Sequence, residues 1–405
     1  MIMTQKYNSS KLFSLTISVA LFFFLSCGDN DNGMPDVTIT LPDISVGDIS
    51  IERTSVDEMG SFYITLNKTY TEDVSVQYEF VDGTAQKGKD YSADGGTLII
   101  PANNLSKSIE IKIFGNKVRE ENRQFTIVLK NPSKCTLKKS TGIFTIVAEN
   151  GTELSTSDIG YFSTSTYPNK QLIWSDEFDG NTLNDNFWNY EIGNGVGGWG
   201  NNELEYYTNN TKNIFISNGN LIIEARKEQI LGYPYSSARI TTKNKKEFTF
   251  GRIDIRAKLP KGKGVWPALW MLGANISSVG WPTCGEIDIM ELIGSSPSEI
   301  HGTLHWKGID GHTSKGQNYF LQLGDFSQEF HVFSLEWKED TLTWMIDGKS
   351  YLTISKSEFG AAVYPFNADQ FVIFNVAVGG NWPGSPDEST TFPQRMFVDY
   401  IRVFQ

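Results

Sequence analysis

Three carboxylates lie within six residues of one another in the segment Glu286-Ile287-Asp288-Ile289-Met290-Glu291. This alternation of acidic and apolar residues is typical of a β-strand, whose side chains point to opposite faces in turn. Hydrolysis of a sugar bond needs two carboxyl groups that flank the bond. A strand that carries three acids is therefore a candidate catalytic centre, because rigid elements hold reacting groups more accurately than loops do.

The spacing of the three acids requires an irregular strand. Regular pleating would put Glu286 and Asp288 on one face and Glu291 on the other, among the isoleucines. An unpaired carboxylate in that apolar layer would be costly. We therefore predict a β-bulge at Ile289–Met290, which turns Glu291 back to the face of Glu286. An ordinary strand with its acids in solvent is the alternative that so short a motif leaves open.

Tryptophans cluster in sequence around these acids. Trp266 and Trp270 lie four residues apart, Trp281 comes just before the acidic segment, and Trp199 stands in the glycine-rich run Gly197–Glu203. Indole faces suit the apolar faces of sugar rings, and a flat ring loses little entropy on binding. Burial in the core is the ordinary alternative for any one tryptophan. We expect Trp266 and Trp270 to line a cleft beside the acids.

Length and composition restrict the class of protein. The chain has 405 residues, 39% hydrophobic and 20% charged, which is typical of a globular protein with two or three domains. A net charge of −12 argues against nucleic acid as a partner and disfavours polyanionic polysaccharides. The three cysteines lie in three separate segments, and the four histidines are scattered, so neither a disulfide framework nor a zinc motif is predicted.

The N-terminus has the features of a targeting segment. An apolar run from Leu12 to Leu25 follows two lysines and is too short for an ordinary membrane-spanning helix. Ser26 and Cys27 then resemble a bacterial lipoprotein cleavage site. We predict a signal peptide over residues 1–27, lipidation of Cys27, and a protein anchored by lipid in the outer membrane of a bacterial cell envelope, exposed at the surface. A plain secretory signal is the alternative.

The chain behind this segment divides into two β-rich regions. Residues 28–42 are polar and predict a tether, and residues 43–149 carry short alternating runs separated by turn residues, which predict a small β-sandwich. Residues 150–170 are rich in Ser, Thr and Gly and predict a linker. All ten tryptophans lie in residues 171–405, where strand patterns continue to the end. We predict an all-β protein whose second domain is a two-sheet sandwich.

The small domain resembles the Calx-beta family. The residues that carry the resemblance are Val81-Asp82-Gly83-Thr84-Ala85, Gly88-Lys89-Asp90-Tyr91, Gly96-Thr97-Leu98-Ile99-Ile100-Pro101 and Glu120-Glu121-Asn122-Arg123-Gln124-Phe125. The resemblance implies an Ig-like sandwich. Some modules of this family bind calcium through loop acids, for which Glu120 and Glu121 are the candidates here, although Asn122 replaces a usual third acid. We interpret the domain as a spacer between membrane and enzyme.

Residues 171–405 resemble glycoside hydrolase family 16, and most of all its bacterial laminarinase branch. The motifs that carry the resemblance are Trp174–Phe178, Gly198–Glu203, Ala238–Thr242, Gly264–Leu272, Gly285–Glu291 and His301–His305. The resemblance implies a concanavalin A-like β-jelly roll with a long cleft across one sheet. It also implies a retaining mechanism on β-glucans or β-galactans, with no cofactor for catalysis.

The resemblance assigns roles to matching positions. Glu286 would be the nucleophile and Glu291 the general acid and base, with Asp288 between them raising the proton affinity of a partner. The implied substrate-binding residues are Trp199, Asn201, Arg239, Trp266, Trp270 and His305. A structural calcium is implied at Asp399, with main-chain oxygens near Glu177 and Gly219, since oxygen ligands suit this ion.

The inserted Met290 favours one activity within the family. The unbulged pattern resembles that of lichenases, and the bulged pattern resembles that of laminarinases. We expect retaining endo-hydrolysis of β-1,3-glucosidic bonds in laminarin-type β-glucans. The alternatives are a mixed-linkage β-1,3-1,4-glucanase, a β-galactanase of the agarase or carrageenase type, and a non-catalytic β-glucan-binding protein. The sequence leaves open the endo or exo preference, the product length and the tolerance of branches.

Overall fold

The structure, a computed structural model, describes residues 40–405. The predicted signal peptide, the lipidation at Cys27 and nearly all of the tether lie outside the described residues. Between residues 40 and 405 the regular structure consists of β-strands with three short helical turns, which confirms the predicted all-β class. None of the helices in this part of the chain is long and apolar enough to span a bilayer.

Ten strands form the N-terminal sandwich: β1 (Asp43–Val46), β2 (Ile49–Glu52), β3 (Glu58–Leu66), β4 (Val74–Asp82), β5 (Tyr91–Ser92), β6 (Gly96–Ile100), β7 (Ser106–Ile113), β8 (Arg123–Ser133), β9 (Thr136–Lys139) and β10 (Thr141–Val147). They pair into two five-stranded sheets, in the orders β5-β7-β3-β1-β9 and β2-β10-β8-β4-β6. Alternate residues face the layer between the sheets, where the buried rings of Phe62, Phe125 and Phe144 contact one another. The predicted small β-sandwich is therefore present.

Eighteen further strands build the second domain: β11 (Leu172–Asp176), β12 (Asn189–Tyr190), β13 (Glu205–Tyr207), β14 (Ile214–Ser217), β15 (Asn220–Ala225), β16 (Tyr235–Ser237), β17 (Arg239–Thr241), β18 (Glu247–Phe248), β19 (Gly251–Lys258), β20 (Val265–Gly273), β21 (Glu286–Glu291), β22 (Glu299–Gly308), β23 (Gly311–Phe320), β24 (His331–Lys338), β25 (Thr341–Ile346), β26 (Lys349–Ser355), β27 (Gln370–Val378) and β28 (Gln394–Phe404). The helical turns are a π-helical turn (Gly198–Asn202), α1 (Ile276–Val279) and a 3₁₀ turn (Lys356–Phe359).

Two large sheets enclose the core of the second domain. The outer sheet has the order β14-β15-β28-β19-β24-β25-β26, with β11 also paired to β28. The cleft sheet has the order β12-β17-β27-β20-β21-β22-β23, with β18 also paired to β27. One apolar cluster draws on both sheets, so they pack face to face. Strand β27 is buried along its entire length, which agrees with its mostly apolar sequence on both faces.

The segment predicted as a linker lies along the second domain. Tyr161 donates its backbone N–H to the carbonyl of Phe330 (2.9 Å), and the Tyr167 hydroxyl donates to Oδ2 of Asp254 (2.7 Å). Asp158 accepts from the buried guanidinium of Arg256 at 2.6 Å. The segment predicted as a linker, residues 150–170, is therefore held to the second domain by these contacts.

A buried arginine joins the two sandwiches. Arg119, in the connection between β7 and β8 of the small domain, donates to the carbonyls of Thr211 (2.7 Å) and Lys212 (3.1 Å) and pairs with the carboxylate of Glu224 at 2.9 Å. The side chains of Arg119 and Glu224 are 1% and 0% exposed. Glu224 also pairs with two arginines of its own domain, so its charge is fully compensated inside the interface. The two sandwiches belong to one compact unit, Pro42–Gln405.

Arg119→Ala is expected to destabilise the whole chain. The change removes four polar contacts of a buried side chain, three of them across the interface. Glu224 keeps two other arginine partners, so the loss is about 3 kcal/mol, at the lower end for a broken buried ion pair. Denaturant unfolding measures it. Lys139→Ala, which breaks an exposed pair with Asp48, is the control and should change stability by less than about 0.5 kcal/mol. Equal losses in the two variants would contradict a buried interface.

Candidate active site

Strand β21 contains the predicted bulge. On the β20 side, Trp270 pairs with Asp288 and Leu269 with Met290, so one residue of β21 has no counterpart. On the β22 side, three steps of β21 from Asp288 to Glu291 correspond to two steps of β22. Ile289 and Met290 are consecutive, yet both are buried, at 2% and 0% exposure. The extra residue thus turns Glu291 to the same face as Asp288, as the spacing of the acids predicted.

Glu286 is held by an indole at the start of β21. Its Oε2 accepts a hydrogen bond from Nε1 of Trp281 at 3.0 Å, and its Oε1 lies 3.8 Å from Nε2 of His305. Burial and the neighbouring charge of Asp288 raise the pKa of Glu286 to about 8. The indole and the imidazole act in the opposite direction, because both favour the carboxylate.

Asp288 lies between the two glutamates, and it is the most buried of the three acids. It is 2% exposed, and burial raises its pKa to about 8. Its main-chain oxygen accepts from Nε1 of Trp344, a core residue of the opposite sheet (2.8 Å). Its Oδ2 lies 3.3 Å from Nε2 of His305. The histidine therefore faces both Asp288 and Glu286.

Glu291, at the other end of β21, is held by a second indole. Nε1 of Trp266 donates to its Oε1 at 3.1 Å. Burial, followed by the charges of Asp288 and Glu286, raises the pKa of Glu291 well above its ordinary range. Burial and mutual repulsion of the negative charges raise the pKa of these carboxyls, so they do not all ionise together at neutral pH and the cluster retains protons.

An arginine of β17 lies between a tryptophan of β20 and a tryptophan of the Gly198–Asn202 turn. The guanidinium of Arg239 lies 4.2 Å from the ring centre of Trp199 and 4.9 Å from that of Trp270. The Arg239 side chain also pairs with Glu191 at 2.5 Å. Trp199 has a φ of 52°, which L-residues seldom adopt, and its two neighbouring glycines also have positive φ. This loop conformation places the indole against Arg239.

All nine predicted catalytic and substrate-binding side chains line one open cleft. The cavity has a volume of about 530 Å³, which is in the range of a binding site for a few sugar units. The nine residues are Trp199, Asn201, Arg239, Trp266, Trp270, Glu286, Asp288, Glu291 and His305. The cleft therefore combines acids able to transfer protons with indole faces able to bind sugars.

Comparison with known families decides the assignment. The sequence profile of "Glycosyl hydrolases family 16" matches residues 201–402, and that of the "Calx-beta domain" matches residues 43–150. The "Glucan endo-1,3-beta-glucosidase" of Cryptopygus antarcticus is 40% identical over 251 residues, which cover 57% of this chain and 90% of that protein. The chain belongs to glycosyl hydrolase family 16. The predicted family and the Calx-beta resemblance are confirmed.

Further family 16 relatives agree with this assignment. The "Beta-glucanase" of Rhodothermus marinus is 39% identical over 248 residues, covering 59% of this chain and 86% of that protein. The solved catalytic domain of an endo-1,3-beta-glucanase (laminarinase) from Thermotoga petrophila is 54% identical, with a TM-score of 0.56, and the match covers 58% of this chain and 98% of that one. The match spans only 34% and 38% of two other curated relatives, which are longer proteins.

Several cleft residues of this family 16 domain were missing from the predicted site. Trp281 and Trp382 stand at the cleft with exposures of 48% and 42%. His312 contacts Nδ1 of His305 through its own Nε2 at 2.8 Å, and Asn375 accepts from Nε1 of Trp270 at 2.7 Å. Proximity to the acidic segment could have identified Trp281. The other three come from distant strands and loops, and no local pattern marks them.

The predicted calcium ligands are engaged by arginines. Asp399 is the only side-chain ligand of the predicted set, and its Oδ2 accepts from Nη1 of Arg256 at 2.9 Å. The carboxylate of Glu177 accepts two hydrogen bonds from Arg402, at 2.9 and 2.7 Å. The Asp399 carboxylate is thus already paired with a cation of the protein, which disfavours calcium there, whereas the Glu177 pairing leaves its main-chain oxygen unaffected. Gly219, between β14 and β15, offers a main-chain oxygen alone, and the calcium stays a prediction.

One of the two candidate calcium acids of the Calx-beta domain, Glu120, is paired with arginines. The guanidinium of Arg53 donates to Asp90 at 2.7 Å and to Glu120 at 2.9 Å, and Arg123 reaches Glu120 at 2.5 Å. The positively charged side chain of Arg53 thus lies among these acids. Calcium binding by the small domain stays a prediction that rests on the sequence.

Proposed function

We propose that residues 171–405 hydrolyse β-1,3-glucosidic bonds within laminarin-type glucans, with retention of configuration. The observation that carries this proposal is the bulge in β21, which puts Glu286, Asp288 and Glu291 on one face of a tryptophan-lined cleft. The names of the relatives, glucan endo-1,3-beta-glucosidase and laminarinase, support the β-1,3 linkage.

In the first step Glu286 attacks the anomeric carbon of the bound sugar. Glu291 donates its proton to the glycosidic oxygen, so the bond to the leaving sugar breaks as the ester bond to Glu286 forms. Trp281 and Trp266 each donate to one of these carboxyls, and the two indoles fix the orientation of both groups. Orientation of this kind lowers the barrier because the reacting atoms are already placed.

In the second step water replaces the enzyme at the same carbon. Glu291, now a carboxylate, removes a proton from the water as it attacks, and Glu286 leaves as a carboxylate. Two displacements on opposite faces restore the original configuration. The same two side chains therefore complete the cycle, and no cofactor enters it.

The electrostatics of the cluster support this division of roles. The pKa of Glu291 is raised well above its ordinary range, whereas that of Glu286 is raised to about 8. Burial and the neighbouring charges of Asp288 and Glu286 thus favour the protonated form of Glu291, which is the form that a general acid needs before the first step.

Asp288→Asn is expected to shift the pH profile of kcat/KM to lower pH on both limbs. The charge of Asp288 raises the pKa of both Glu286 and Glu291, so its removal lowers both values. The shift should be on the order of one pH unit, with a rate loss smaller than that of either glutamate variant. Rates on laminarin between pH 4 and 9 measure it. An unmoved profile would contradict the electrostatic role of Asp288.

Product analysis on three polysaccharides tests the proposed function. Laminarin should release short β-1,3-linked oligosaccharides, and lichenan should be cut more slowly. Nuclear magnetic resonance of the first product should show the β-anomer, which retention requires. Cleavage of agarose but not laminarin would reveal a β-galactanase. Binding of laminarin without release of reducing sugar would reveal a glucan-binding protein and overturn the proposal.

We also propose that lipid at Cys27 anchors the mature chain in the outer membrane. The proposal rests on the apolar run before Ser26-Cys27, in residues outside the described part of the structure. Cys27→Ala should move the protein from the membrane fraction to the soluble fraction of the expressing bacterium. Cys135→Ala, a buried thiol of the small domain, is the control and should leave the distribution unchanged. Membrane retention of the Cys27 variant would contradict the anchor.

A further inference from the structure

Three side chains of the cleft have the geometry of a metal site. Glu286, Asp288 and His305 each offer one ligand atom, and these atoms lie within 4.8 Å of one another. Nε2 of His305 is 3.3 Å from Oδ2 of Asp288 and 3.8 Å from Oε1 of Glu286. Three protein ligands with an open fourth position are the usual arrangement of an accessible zinc site.

A buried oxygen without a hydrogen bond points to the same position. Oδ2 of Asp288 makes no hydrogen bond in the structure, although the residue is only 2% exposed. Buried carboxylate oxygens rarely lack a partner, because desolvation without compensation is costly. This oxygen faces Nε2 of His305, so a cation between the two atoms would satisfy both.

His312 supports His305 as the outer partner of a metal-binding histidine would. Nε2 of His312 lies 2.8 Å from Nδ1 of His305, and the two rings stack with centres 5.1 Å apart. Histidine ligands of metals commonly engage their second ring nitrogen in such a contact, which fixes the ring and its tautomer. Trp281 packs on His312, and its Nε1 donates to Oε2 of Glu286. The other oxygen of Glu286, Oε1, is left directed towards His305.

We propose that Glu286, Asp288 and His305 form a reversible inhibitory site for a late first-row divalent ion, with Zn²⁺ as its probe. Mixed oxygen and nitrogen ligation favours Zn²⁺ over Ca²⁺ or Mg²⁺, which prefer oxygen alone. The ion occupies the position of the reacting sugar and ties up the nucleophile. Only this inhibitory consequence rests on the proposed function, because binding of the ion does not require hydrolysis.

Calorimetric titration of the chelator-treated full chain with zinc chloride tests the site. The wild-type chain should bind one ion through this cluster, and His305→Gln should weaken that binding by more than about tenfold. His312→Gln should weaken it by about tenfold through loss of the supporting contact. His301→Gln, four residues away on β22, is the matched control and should bind as wild type does. Near-ultraviolet circular dichroism confirms that each variant is folded.

Kinetics on laminarin supply the second readout. Zinc should raise the apparent KM and leave kcat unchanged, and a chelator should restore the original rate. The inference is overturned if wild type shows no saturable zinc binding, if His305→Gln binds as tightly as wild type, or if His301→Gln loses the site. Zinc binding without any laminarin hydrolysis would refute the proposed function alone. Hydrolysis without zinc binding would refute the metal site alone.

Discussion

Glu286→Gln is expected to abolish turnover and to leave the fold and glucan binding intact. The amide has the shape of the carboxyl and still accepts from Trp281, but it cannot form the glycosyl ester. The loss in kcat should be on the order of 10⁴- to 10⁶-fold, the range seen when core catalytic groups of another covalent hydrolase are removed. Stopped reducing-sugar assays measure the loss, and isothermal titration with laminarin oligosaccharides measures the retained binding.

Chemical rescue identifies the role of Glu286 more sharply than the loss alone. In Glu286→Ala, azide can enter the vacated space and attack the anomeric carbon once, while Glu291 protonates the leaving oxygen. A single displacement inverts the configuration, so an α-glycosyl azide should accumulate from an activated β-glucoside. Normal activity of the glutamine variant, or an azide product of the β-configuration from the alanine variant, would reassign the nucleophile.

Glu291→Gln should lower the rate by about 10²- to 10⁴-fold on laminarin, the usual contribution of a positioned acid or base. The loss in the first step should depend on the leaving group. The acidic phenol of an activated aryl β-glucoside leaves without protonation. The variant should therefore still form the glycosyl ester and then accumulate it. A burst of phenol followed by a slow steady state measures this behaviour.

The control for Glu291 uses the same aryl substrate with added azide. In Glu291→Ala the nucleophile is intact, so azide should intercept the glycosyl ester and give the β-glycosyl azide through two displacements. Trp266→Phe, which removes the indole donor but keeps Glu291, should lower the rate far less. An equal loss on laminarin and on the aryl glucoside would show that Glu291 is not the proton donor.

Local pattern sufficed to predict the central part of the site. Side-chain alternation in a strand has a fixed period, so an acid at an odd spacing from Glu286 implied either a buried charge or a bulge. The bulge lies at Ile289–Met290, as predicted. The dipeptide Asp347-Gly348 is another local signal, since Asp-Gly is typical of a tight hairpin turn, and both residues have the positive φ values that such a turn requires.

Features set by distant pairing were beyond the sequence pattern. His312 meets His305 because β22 and β23 pair antiparallel, and the register of that hairpin cannot be read from composition. Arg119 pairs with Glu224, which is 105 residues further along the chain. Nothing in the local sequence distinguishes this arginine from one that is exposed to solvent. Residues 150–170 are polar, yet the partners that hold them are spread over the outer sheet. In each case tertiary contacts outweigh local composition.

The bulge also allows the catalytic strand to lose one residue without turning its acids away from the cleft. Glu286 and Glu291 are five positions apart, and Ile289 and Met290 both face the core. Loss of the Met290 codon would leave the acids four positions apart, a spacing that regular pleating already places on one side. Either length of coding sequence thus presents the same acids to a sugar. A single in-frame deletion can reshape the cleft floor without inverting the strand, which gives evolution a short path between related substrate preferences.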